Sequence, residues 1–375
     1  MNGILKIKPD IKAYAWGNDY FIAGLLEKDK NGPIAEMWMG AHRQGSSLVE
    51  ETGEKLCDFL DSHPDFAGVN ADGFPYLFKV LAIARSLSIQ CHPDAEQAKE
   101  GFAAEEAKRK VTDRSLWNYQ DSNPKAEMLY ALTPVTAMCG FRKLDTALEL
   151  FRSAVPNFYA GYLSEIGSLY ELFDCLYRMA PEILSRGEAE LLKNCDTLLP
   201  EVRDIVRELG DIYFGDPGVF APLFLNVIKL NQGQAVYLKP RVLHAYVSGN
   251  GIELMNNSDN VLRAGLTKKH MDVDELEKVM TAEPCNPVPM PCVTDRGGTH
   301  FICEGGFTLT SMINGEFEAS AAGPKILLCT EGEAKIKADG ECMALHKGEC
   351  CIIGSVPAAF TVVSTSAAVF MANGN

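Results

Sequence analysis

The sequence contains no run of about 18 consecutive apolar residues, the length that a membrane-spanning helix requires. Its N-terminal segment, MNGILKIKPDIKAYAWGNDY, also lacks a long apolar stretch followed by a small-residue cleavage site, so we expect no signal peptide. These two absences argue against an integral membrane protein and against a secreted one. We therefore expect a cytoplasmic protein that has no membrane among its partners.

Although the chain has 12 cysteines, no two of them are spaced as a C-x-x-C pair. Zinc fingers and disulfide frameworks need such tight spacing, so neither is indicated. Several cysteines lie inside apolar runs, as Cys329, Cys350 and Cys351 do. This pattern is typical of buried, reduced thiols in a cytoplasmic protein.

Positive charge is also scarce, since 35 Lys and Arg residues face 50 Asp and Glu residues and leave a formal net charge of −15. Nucleic acids demand a basic surface, so they are not expected as partners. A small anionic substrate is still allowed, because a pocket can be basic inside an acidic protein. Its cations should then stand out against the acidic background.

The chain is long enough for more than one globular domain, with 375 residues of which 47% are hydrophobic. Segments 33–42 and 74–83 are rich in β-branched and aromatic residues, which predicts strands. Residues 93–115 are typical of a charged helix that begins at a proline. Between residues 145 and 213, apolar residues recur at three- and four-residue spacing, which predicts amphipathic helices.

Strand patterns return after residue 219 and again after about residue 300. Strands on both sides of a helical block indicate a mainly β fold with an inserted α-helical domain. We expect a first, discontinuous β domain at 1–145 and 216–284, a helical insertion at 146–215, and a C-terminal β domain at 285–375.

An internal similarity relates the segment that begins at Gln232 to the segment that begins at Lys347. Both have a glycine, a short apolar strand, a proline-containing turn and a second strand. At a fixed offset Gly233 matches Gly348, and His244 matches Ala359. The pattern predicts two related β-barrel units of which the second lacks the histidine, although short β segments can also resemble each other by chance.

Gln90 and His92 stand two residues apart at the end of an apolar segment, in the stretch SLSIQCHPDA. In a strand, residues two apart point to the same face, so an amide oxygen and an imidazole nitrogen could bind one metal ion. The alternative is a strand end at which two polar residues reach solvent. This stretch taken alone favours the alternative.

Two further segments place possible ligands beside β elements. Glu127 follows Lys125 by two residues just before an apolar run, and His244 follows a strand and a proline turn. With Gln90 and His92, they form a set of nitrogen and oxygen donors that zinc, iron or manganese would accept. The single carboxylate leaves the ion a net positive charge, which suits polarisation of a sugar oxygen. Taken singly, each residue is more often a solvated or core residue.

Several motifs occur together and in order over most of residues 10–275: YAWGNDY, AEMWMGAH, PYLFKVLAIARSLSIQCHPD, NPKAEMLYALTP, LHAYVSG and SDNVLRAGLTKK. This ordered set resembles the type I mannose-6-phosphate isomerases, zinc enzymes of the cupin superfamily. The resemblance implies two cupin-type jelly-roll β-barrels, of which the first binds metal and the second is degenerate. It also implies a zinc-dependent aldose–ketose isomerase of carbohydrate metabolism and GDP-mannose biosynthesis, which interconverts mannose 6-phosphate and fructose 6-phosphate through an enediol.

The same resemblance implies roles for single residues. One Zn2+ per chain would be held by Gln90, His92, Glu127 and His244. Arg263 would be the catalytic arginine. A third set would lie along the path of the sugar phosphate, and it comprises Lys79, Ser88, Lys125 and Lys269.

The chain departs from the family pattern at Pro124 and Ala126, where the family usually has histidine and proline, and at Lys268, where it usually has proline. These changes lead us to expect an altered fine shape of the phosphate pocket. For the proton-transfer base, we advance Glu253, because its strand follows that of His244 and could face the same barrel. A zinc-bound water is the rival base.

Two other functions stay open: a different metal-dependent cupin enzyme such as a dioxygenase, and a non-catalytic cupin that only binds a sugar phosphate. The lysines and the glutamine ligand argue against a dioxygenase, and the full set of ligands with Arg263 argues against a mere binding protein. The expected partner is a small sugar phosphate, with no nucleic acid and no membrane. The oligomeric state is open, and a monomer is favoured.

Overall fold

The computed structural model describes residues 3–29, 31–109, 113, 116–320, 323–355 and 359–374. Within them the fold is mainly β, as predicted, and its strands pair in antiparallel fashion. The strands are β1 (Ile4–Lys8), β2 (Asp10–Lys12), β3 (Glu36–Met39), β4 (Leu48–Val49), β5 (Tyr76–Ile83), β6 (Gln90–Cys91), β7 (Glu127–Ala131), β8 (Val135–Phe141), β9 (Leu225–Leu230), β10 (Ala235–Leu238), β11 (His244–Asn256), β12 (Leu262–Arg263), β13 (Val293–Asp295), β14 (Gly298–Cys303), β15 (Phe307–Ser320), β16 (Lys325–Ala338), β17 (Glu341–His346), β18 (Cys350–Ile353) and β19 (Ala359–Gly374).

The strands form two sheets. The first has the order β10-β7-β11-β5-β3-β2, with β6, β8, β9 and β12 attached to it through β11 or through one another. The second has the order β13-β14-β15-β19-β16-β18-β1-β4, and β17 pairs with β16. The first strand of the chain thus belongs to the second sheet, where Ile4 lies opposite Ile353.

Strand β11 is bent, and its two halves pair with different strands of the first sheet. Its first half pairs with β8, its second half pairs with β5 and β7, and the register shifts between Tyr246 and Ser248. Gly249 has φ +113°, and a Cβ there would lie 2.4 Å from the carbonyl oxygen of Pro134. Only glycine fits this position, because it tolerates the positive φ and leaves room for the neighbouring backbone.

The helices lie between the strands. They are α1 (Phe21–Leu25), α2 (Leu56–Ser62), α3 (Pro64–Ala67), α4 (Ala95–Glu106), α5 (Leu144–Ala154), α6 (Pro156–Phe158), α7 (Leu169–Tyr177), α8 (Pro181–Asn194), α9 (Pro200–Tyr213), α10 (Ala221–Phe224) and α11 (Val273–Val279). Helices α5 to α10 follow β8 and precede β9 in the chain, so the amphipathic pattern at 145–213 did predict helices. Pro181 and Pro200 begin α8 and α9, where a proline loses no helical hydrogen bond.

The charged helix predicted at 93–115 is α4, which is shorter than expected. It begins after Asp94, whose carboxylate accepts hydrogen bonds from the backbone N–H groups of Glu96 and Gln97 at 3.1 and 2.9 Å. This capping box fixes the start of the helix. Residues 110–112 and 114–115 of the predicted helix lie outside the described residues.

A large core joins the helices to the first sheet. Cys91 of β6 and Leu262 of β12 are buried in the same apolar cluster as Phe173 of α7 and Phe220, which precedes α10. Each buried phenylalanine contributes about 2 kcal/mol of hydrophobic stabilisation. The helical segment is therefore packed directly behind the strands that carry Gln90 and Arg263.

A second core fills the space between the two sheets. Tyr76 of β5 is fully buried in it, donates a hydrogen bond to the carbonyl oxygen of Ala372 at 2.9 Å, and accepts one from the N–H of Ile326 at 3.1 Å. Burial raises the pKa of Tyr76 well above its usual range. The tyrosine thus links the C-terminal strands to the sheet that contains the candidate metal ligands.

All 12 cysteines fall within the described residues, and none forms a disulfide. Eight are buried, including Cys329, Cys350 and Cys351. Three others, Cys285, Cys292 and Cys342, are exposed. Among the described residues, no helix has both the length and the apolar character needed to cross a bilayer.

Candidate metal centre and active site

Three buried side chains that are distant in sequence meet inside the first sheet. His92, Glu127 and His244 offer one ligand atom each, and these atoms lie within 4.8 Å of one another. The Nε2 atoms of His92 and His244 each lie 3.2 Å from a different oxygen of Glu127. Two atoms bound to one zinc ion at about 2.1 Å are separated by roughly 3.3 Å, so the spacing fits a shared ion.

Backbone carbonyl groups set the orientation of both histidines. The Nδ1 atom of His92 lies 2.7 Å from the oxygen of Asn260, and that of His244 lies 2.9 Å from the oxygen of Val242. Each ring therefore donates its Nδ1–H and turns the lone pair of Nε2 toward Glu127. This arrangement is typical of histidines that bind metal through Nε2.

The charge states in this cluster also fit a cation. Burial and then the charge of Lys125 lower the pKa of His92 to about 4, so the ring is neutral near pH 7. Its Nε2 is buried and makes no hydrogen bond. Burial by itself would raise the pKa of Glu127, but Lys125 and the two histidines hold it well below its usual range. The negative charge of the carboxylate repels the two imidazole lone pairs that face it unless a cation lies between them. These residues therefore fit a metal ion.

Gln90 lies on the same wall of the site. In the sheet it is opposite His244 of β11 on one side and opposite Arg263 of β12 on the other. Its side chain lines the cavity, and its Nε2 lies 3.5 Å from the hydroxyl of Ser88. The structure thus places the predicted fourth ligand beside the other three.

The cluster opens into a cavity of about 740 Å3. The cavity is large enough for a hexose phosphate and is lined by side chains from both ends of the bent strand β11, such as Tyr246 and Met255. The predicted catalytic and substrate-binding residues also line this cavity, namely Lys79, Ser88, Lys125, Glu253, Arg263 and Lys269. Pro124 and Ala126 do not, because they face a second pocket beside Gly305. Lys125, which lies between them, and Lys268, the third departure from the family pattern, do line the cavity, so the altered fine shape of the phosphate pocket stays a prediction.

Two of the predicted lysines form buried ion pairs. The Nζ of Lys79 lies 2.8 Å from Oε2 of Glu253, and the Nζ of Lys125 lies 3.1 Å from Oε1 of Glu127. Burial raises the pKa of Glu253, and Lys79 opposes that rise. Most of the charge on these two lysines is therefore balanced within the protein.

The other cations that line the cavity have no such balance. Among the described residues, no ion pair with a carboxylate is formed by Arg85, Arg263, Lys268 or Lys269. Burial lowers the pKa of Arg263, and burial together with the charge of Arg263 lowers that of Lys269. Each is therefore less stable as a cation than it would be in water, and a bound anion would relieve both.

Comparison with known proteins agrees with this geometry. Residues 4–144 match the family model of the catalytic domain of type I phosphomannose isomerase. Mannose-6-phosphate isomerase from Escherichia coli K12 is 34% identical over 376 residues, which cover 95% of this chain and 96% of that protein. The chain belongs to the type I phosphomannose isomerase family.

Solved structures of phosphomannose isomerases also superimpose along the whole chain. The apo form of the enzyme from Salmonella typhimurium and a zinc-bound holo form of mannose 6-phosphate isomerase each match with a TM-score of 0.90 and 33% identity. Both matches cover 100% of this chain and 100% of the compared chain. The predicted resemblance to this family is confirmed.

The cavity has further lining residues that the sequence reasoning did not assign. Glu36, Asp259 and Tyr246 face it from three different strands or loops, and Tyr213 reaches it from α9. Glu36 and Asp259 lie inside motifs that carried the resemblance, so they could have been found. Tyr213 gave no local signal, because only the tertiary fold brings its helix to the cavity.

His42 is buried beside the wall of the cavity. Its Nε2 lies 3.3 Å from Oδ1 of Asp259, whose other oxygen accepts a hydrogen bond from Gln44 at 2.6 Å. This contact orients an acidic group of the cavity wall.

Proposed function

We propose that this protein is a zinc-dependent mannose-6-phosphate isomerase that interconverts mannose 6-phosphate and fructose 6-phosphate. The observation that carries the proposal is the buried His92–Glu127–His244 cluster beside a cavity that also contains cations without a carboxylate partner, among them Arg263 and Lys269. Relatives that match nearly the whole chain bear the name of this activity. A metal site next to an anion site is what a sugar phosphate isomerase needs.

One zinc ion per chain would be held by Gln90, His92, Glu127 and His244. When bound, the ion would supply Lewis-acid polarisation of the sugar oxygens. The support is the chemistry of the donor set, with two imidazole lone pairs directed at one buried carboxylate. A zinc-bound relative of the same fold adds to that support.

Lys269 and Ser88 would bind the phosphate end of the substrate, and the charges of Lys79 and Lys125 would contribute along its path. Lys269 is the best placed of the three lysines, because the other two are already paired with carboxylates. In a protein with a net charge of −15, these cations concentrate positive potential in one cavity.

The reaction would proceed through an enediol. Glu253 would take the proton from C2 of mannose 6-phosphate and return it to C1, while the C2 hydroxyl loses a proton and the C1 oxygen gains one. The raised pKa of Glu253 suits a base that must both accept and release this proton near neutral pH. The guanidinium of Arg263 would stabilise the negative charge that develops on the enediolate.

The finer architecture is part of this proposal. We infer two cupin-type jelly-roll units, the first metal-binding at 1–145 and 216–284 and the second at 285–375, with the helical insertion at 146–215. Gly233 and Gly348 both adopt a positive φ, of +88° and +82°, and each precedes a short strand and then a long one. Residues 356–358 of the second copy lie outside the described residues. We also propose a cytoplasmic monomer.

An assay of mannose 6-phosphate conversion, with and without a zinc chelator, tests the proposal. We expect turnover that chelation abolishes and zinc restores, with one zinc per chain by elemental analysis. Oxygen consumption without isomerisation would indicate the dioxygenase alternative. Binding of the sugar phosphate without turnover in the zinc-loaded protein would indicate a non-catalytic binding protein.

A further inference from the structure

The segment from Arg263 to Lys269, here called the cation loop, carries three cations of the cavity lining that have no carboxylate partner among the described residues, namely Arg263, Lys268 and Lys269. We propose that Asp216, at the exit of the helical segment, is a positioning residue that holds the cation loop in its anion-binding shape. The inference rests on the proposed function, because it explains how the cations for the substrate's negative charges are kept in place.

The cation loop has a backbone that needs external support. Gly265 and Leu266 are consecutive residues with positive φ, +108° and +55°. For a leucine this left-handed conformation costs about 1 kcal/mol or more, because its Cβ approaches the following carbonyl oxygen. Such a conformation persists only where neighbouring groups hold it.

Asp216 provides that hold through its carboxylate. Oδ2 accepts a hydrogen bond from the N–H of Thr267 at 3.3 Å, and the carboxylate also accepts one from the N–H of Leu266. A Cβ on Gly265 would lie only 2.6 Å from Oδ1, so the carboxylate packs directly against the loop. The carboxylate of Asp216 thus contacts the loop at Gly265, at the strained Leu266 and at Thr267.

On its other side, the start of the cation loop is tied to the strand of the metal ligands. Ala264 N–H donates to the carbonyl oxygen of Ile89 at 2.8 Å, and Ile89 N–H donates to that of Gly265 at 3.1 Å. Arg263 lies opposite Gln90 in the same pairing. The loop is therefore held between the candidate zinc ligands and the helical segment.

The helical segment fixes the position of Asp216 in turn. Its backbone N–H donates to the carbonyl oxygen of Tyr213 at 2.9 Å, and its Oδ1 accepts from the N–H of Gly218 at 2.8 Å. Gly215, the preceding residue, donates its N–H to Glu188 of α8 at 2.6 Å. These contacts anchor the carboxylate to two helices before it reaches the loop.

The carboxylate of Asp216 binds backbone N–H groups of the cation loop and leaves the charges of Arg263 and Lys269 in place. Burial raises the pKa of Asp216, and the three backbone N–H groups that donate to it oppose that rise. Among the described residues, it forms no ion pair with Arg263 or Lys269. An ion pair between Asp216 and a cation of the loop would neutralise the positive charge that an anionic substrate needs. Hydrogen bonds from backbone N–H groups to Asp216 leave that positive charge available.

The test measures binding of inorganic phosphate to the zinc-loaded protein by calorimetry, together with KM for mannose 6-phosphate. We compare Asp216→Ala and Asp216→Asn with Ser168→Ala. Ser168 caps α7 by accepting from the N–H of Glu171 at 3.1 Å and makes no contact with the cation loop. Loss of this cap lowers stability by about 1 kcal/mol, which makes it a control for destabilisation of the helical segment.

We expect Asp216→Ala to weaken phosphate binding at least fivefold and to raise KM similarly, with zinc content unchanged. Asp216→Asn keeps one accepting oxygen and should give a smaller loss of at least twofold. Ser168→Ala should leave phosphate affinity within twofold of the parent. A loss of phosphate affinity that exceeds the loss in Ser168→Ala, at matched losses of thermal stability, is the result that a purely structural role would not produce.

Equal phosphate affinities in Asp216→Ala and Ser168→Ala, at matched losses of thermal stability, would overturn the proposal. If Asp216→Ala does not fold, the Asn variant decides, and an unchanged affinity in it would also overturn the proposal. Failure of the proposed function looks different. In that outcome the parent binds phosphate, the Asp216 variants still rank as expected, and no variant or parent isomerises mannose 6-phosphate.

Discussion

Lys79 and Glu253 lie directly opposite each other in β5 and β11, and their side chains form a buried ion pair with Nζ 2.8 Å from Oε2. The ring of Trp38 lies 4.9 Å from the same Nζ and closes one side of the pair. The proposed base is thus fixed in register by strand pairing and paired with the ammonium group of a buried lysine. A proton that arrives on Glu253 is added next to an ammonium group, which favours its release to the substrate.

Glu253→Gln should lower kcat by about 100-fold or more, because the amide cannot accept the proton from C2. Zinc content should not change, since Glu253 is not part of the His92–Glu127–His244 cluster. Steady-state kinetics of mannose 6-phosphate isomerisation, with elemental analysis of each sample, provide the measurement. Normal turnover in this variant would remove Glu253 from the mechanism and leave a zinc-bound water as the base.

His244→Ala should weaken zinc binding by roughly 100-fold or more and abolish turnover, because the remaining histidine and carboxylate form an incomplete site. His42→Ala is the matched control, since His42 is also a buried histidine next to a carboxylate but lies outside the cluster. Zinc stoichiometry after dialysis distinguishes the two variants. Equal zinc loss in both would mean that the cluster is not the metal site.

The candidate ligands could be predicted from sequence because each lies in a short motif with a distinctive order along the chain. Periodicity gave the helices of residues 145–213, and a composition rich in β-branched and aromatic residues gave strands such as β5. Local sequence patterns do not show which distant segments of the chain pair with each other. The pairing of Glu253 with Lys79 depends on the register of two strands that are 174 residues apart.

The placement of the first strand illustrates the same limit. Nothing in the sequence of residues 4–8 indicates that they pair with residues 350–353 of the C-terminal sheet rather than with their neighbours in the chain. The role of Asp216 was equally hidden, because the turn in which it lies looked only like the end of a helical block. Contacts with Leu266 and Thr267 become visible only when the fold brings the two segments together.

We predict that the free energy of unfolding depends on pH through the side chain of Glu188. It is fully buried in α8, Oε2 accepts from the N–H of Gly215, and Oε1 makes no hydrogen bond. Burial raises the pKa of Glu188 from 4.5 to about 7. Between these values the folded protein binds a proton that the unfolded chain has released. The stabilisation from protonated Glu188 is therefore fully present below pH 4.5 and is lost as the pH rises through 7.

Glu188→Gln should consequently be more stable than the parent at pH 8, by up to about 3 kcal/mol, and nearly equal to it close to pH 5. Urea unfolding at both pH values measures the difference. Glu182→Gln, which changes an exposed carboxylate of the same helix, should show no such pH dependence. Parallel stability curves for the parent and Glu188→Gln would show that Glu188 does not titrate in this range.

The bend of β11 near Gly249 gives the last prediction, because it lies between His244 and Glu253 on that strand. Gly249→Ala should destabilise the protein by more than about 1 kcal/mol, since alanine at φ +113° is strained and its Cβ would lie 2.4 Å from the oxygen of Pro134. Gly24→Ala is the matched control, because Gly24 lies in α1 with nothing within 4 Å of a built Cβ. There the same substitution should be neutral or stabilise by about 0.5–1 kcal/mol, because alanine has the higher helix propensity. Urea unfolding of both variants measures these changes, and a Gly249→Ala protein as stable as Gly24→Ala would show that the bend relaxes without strain.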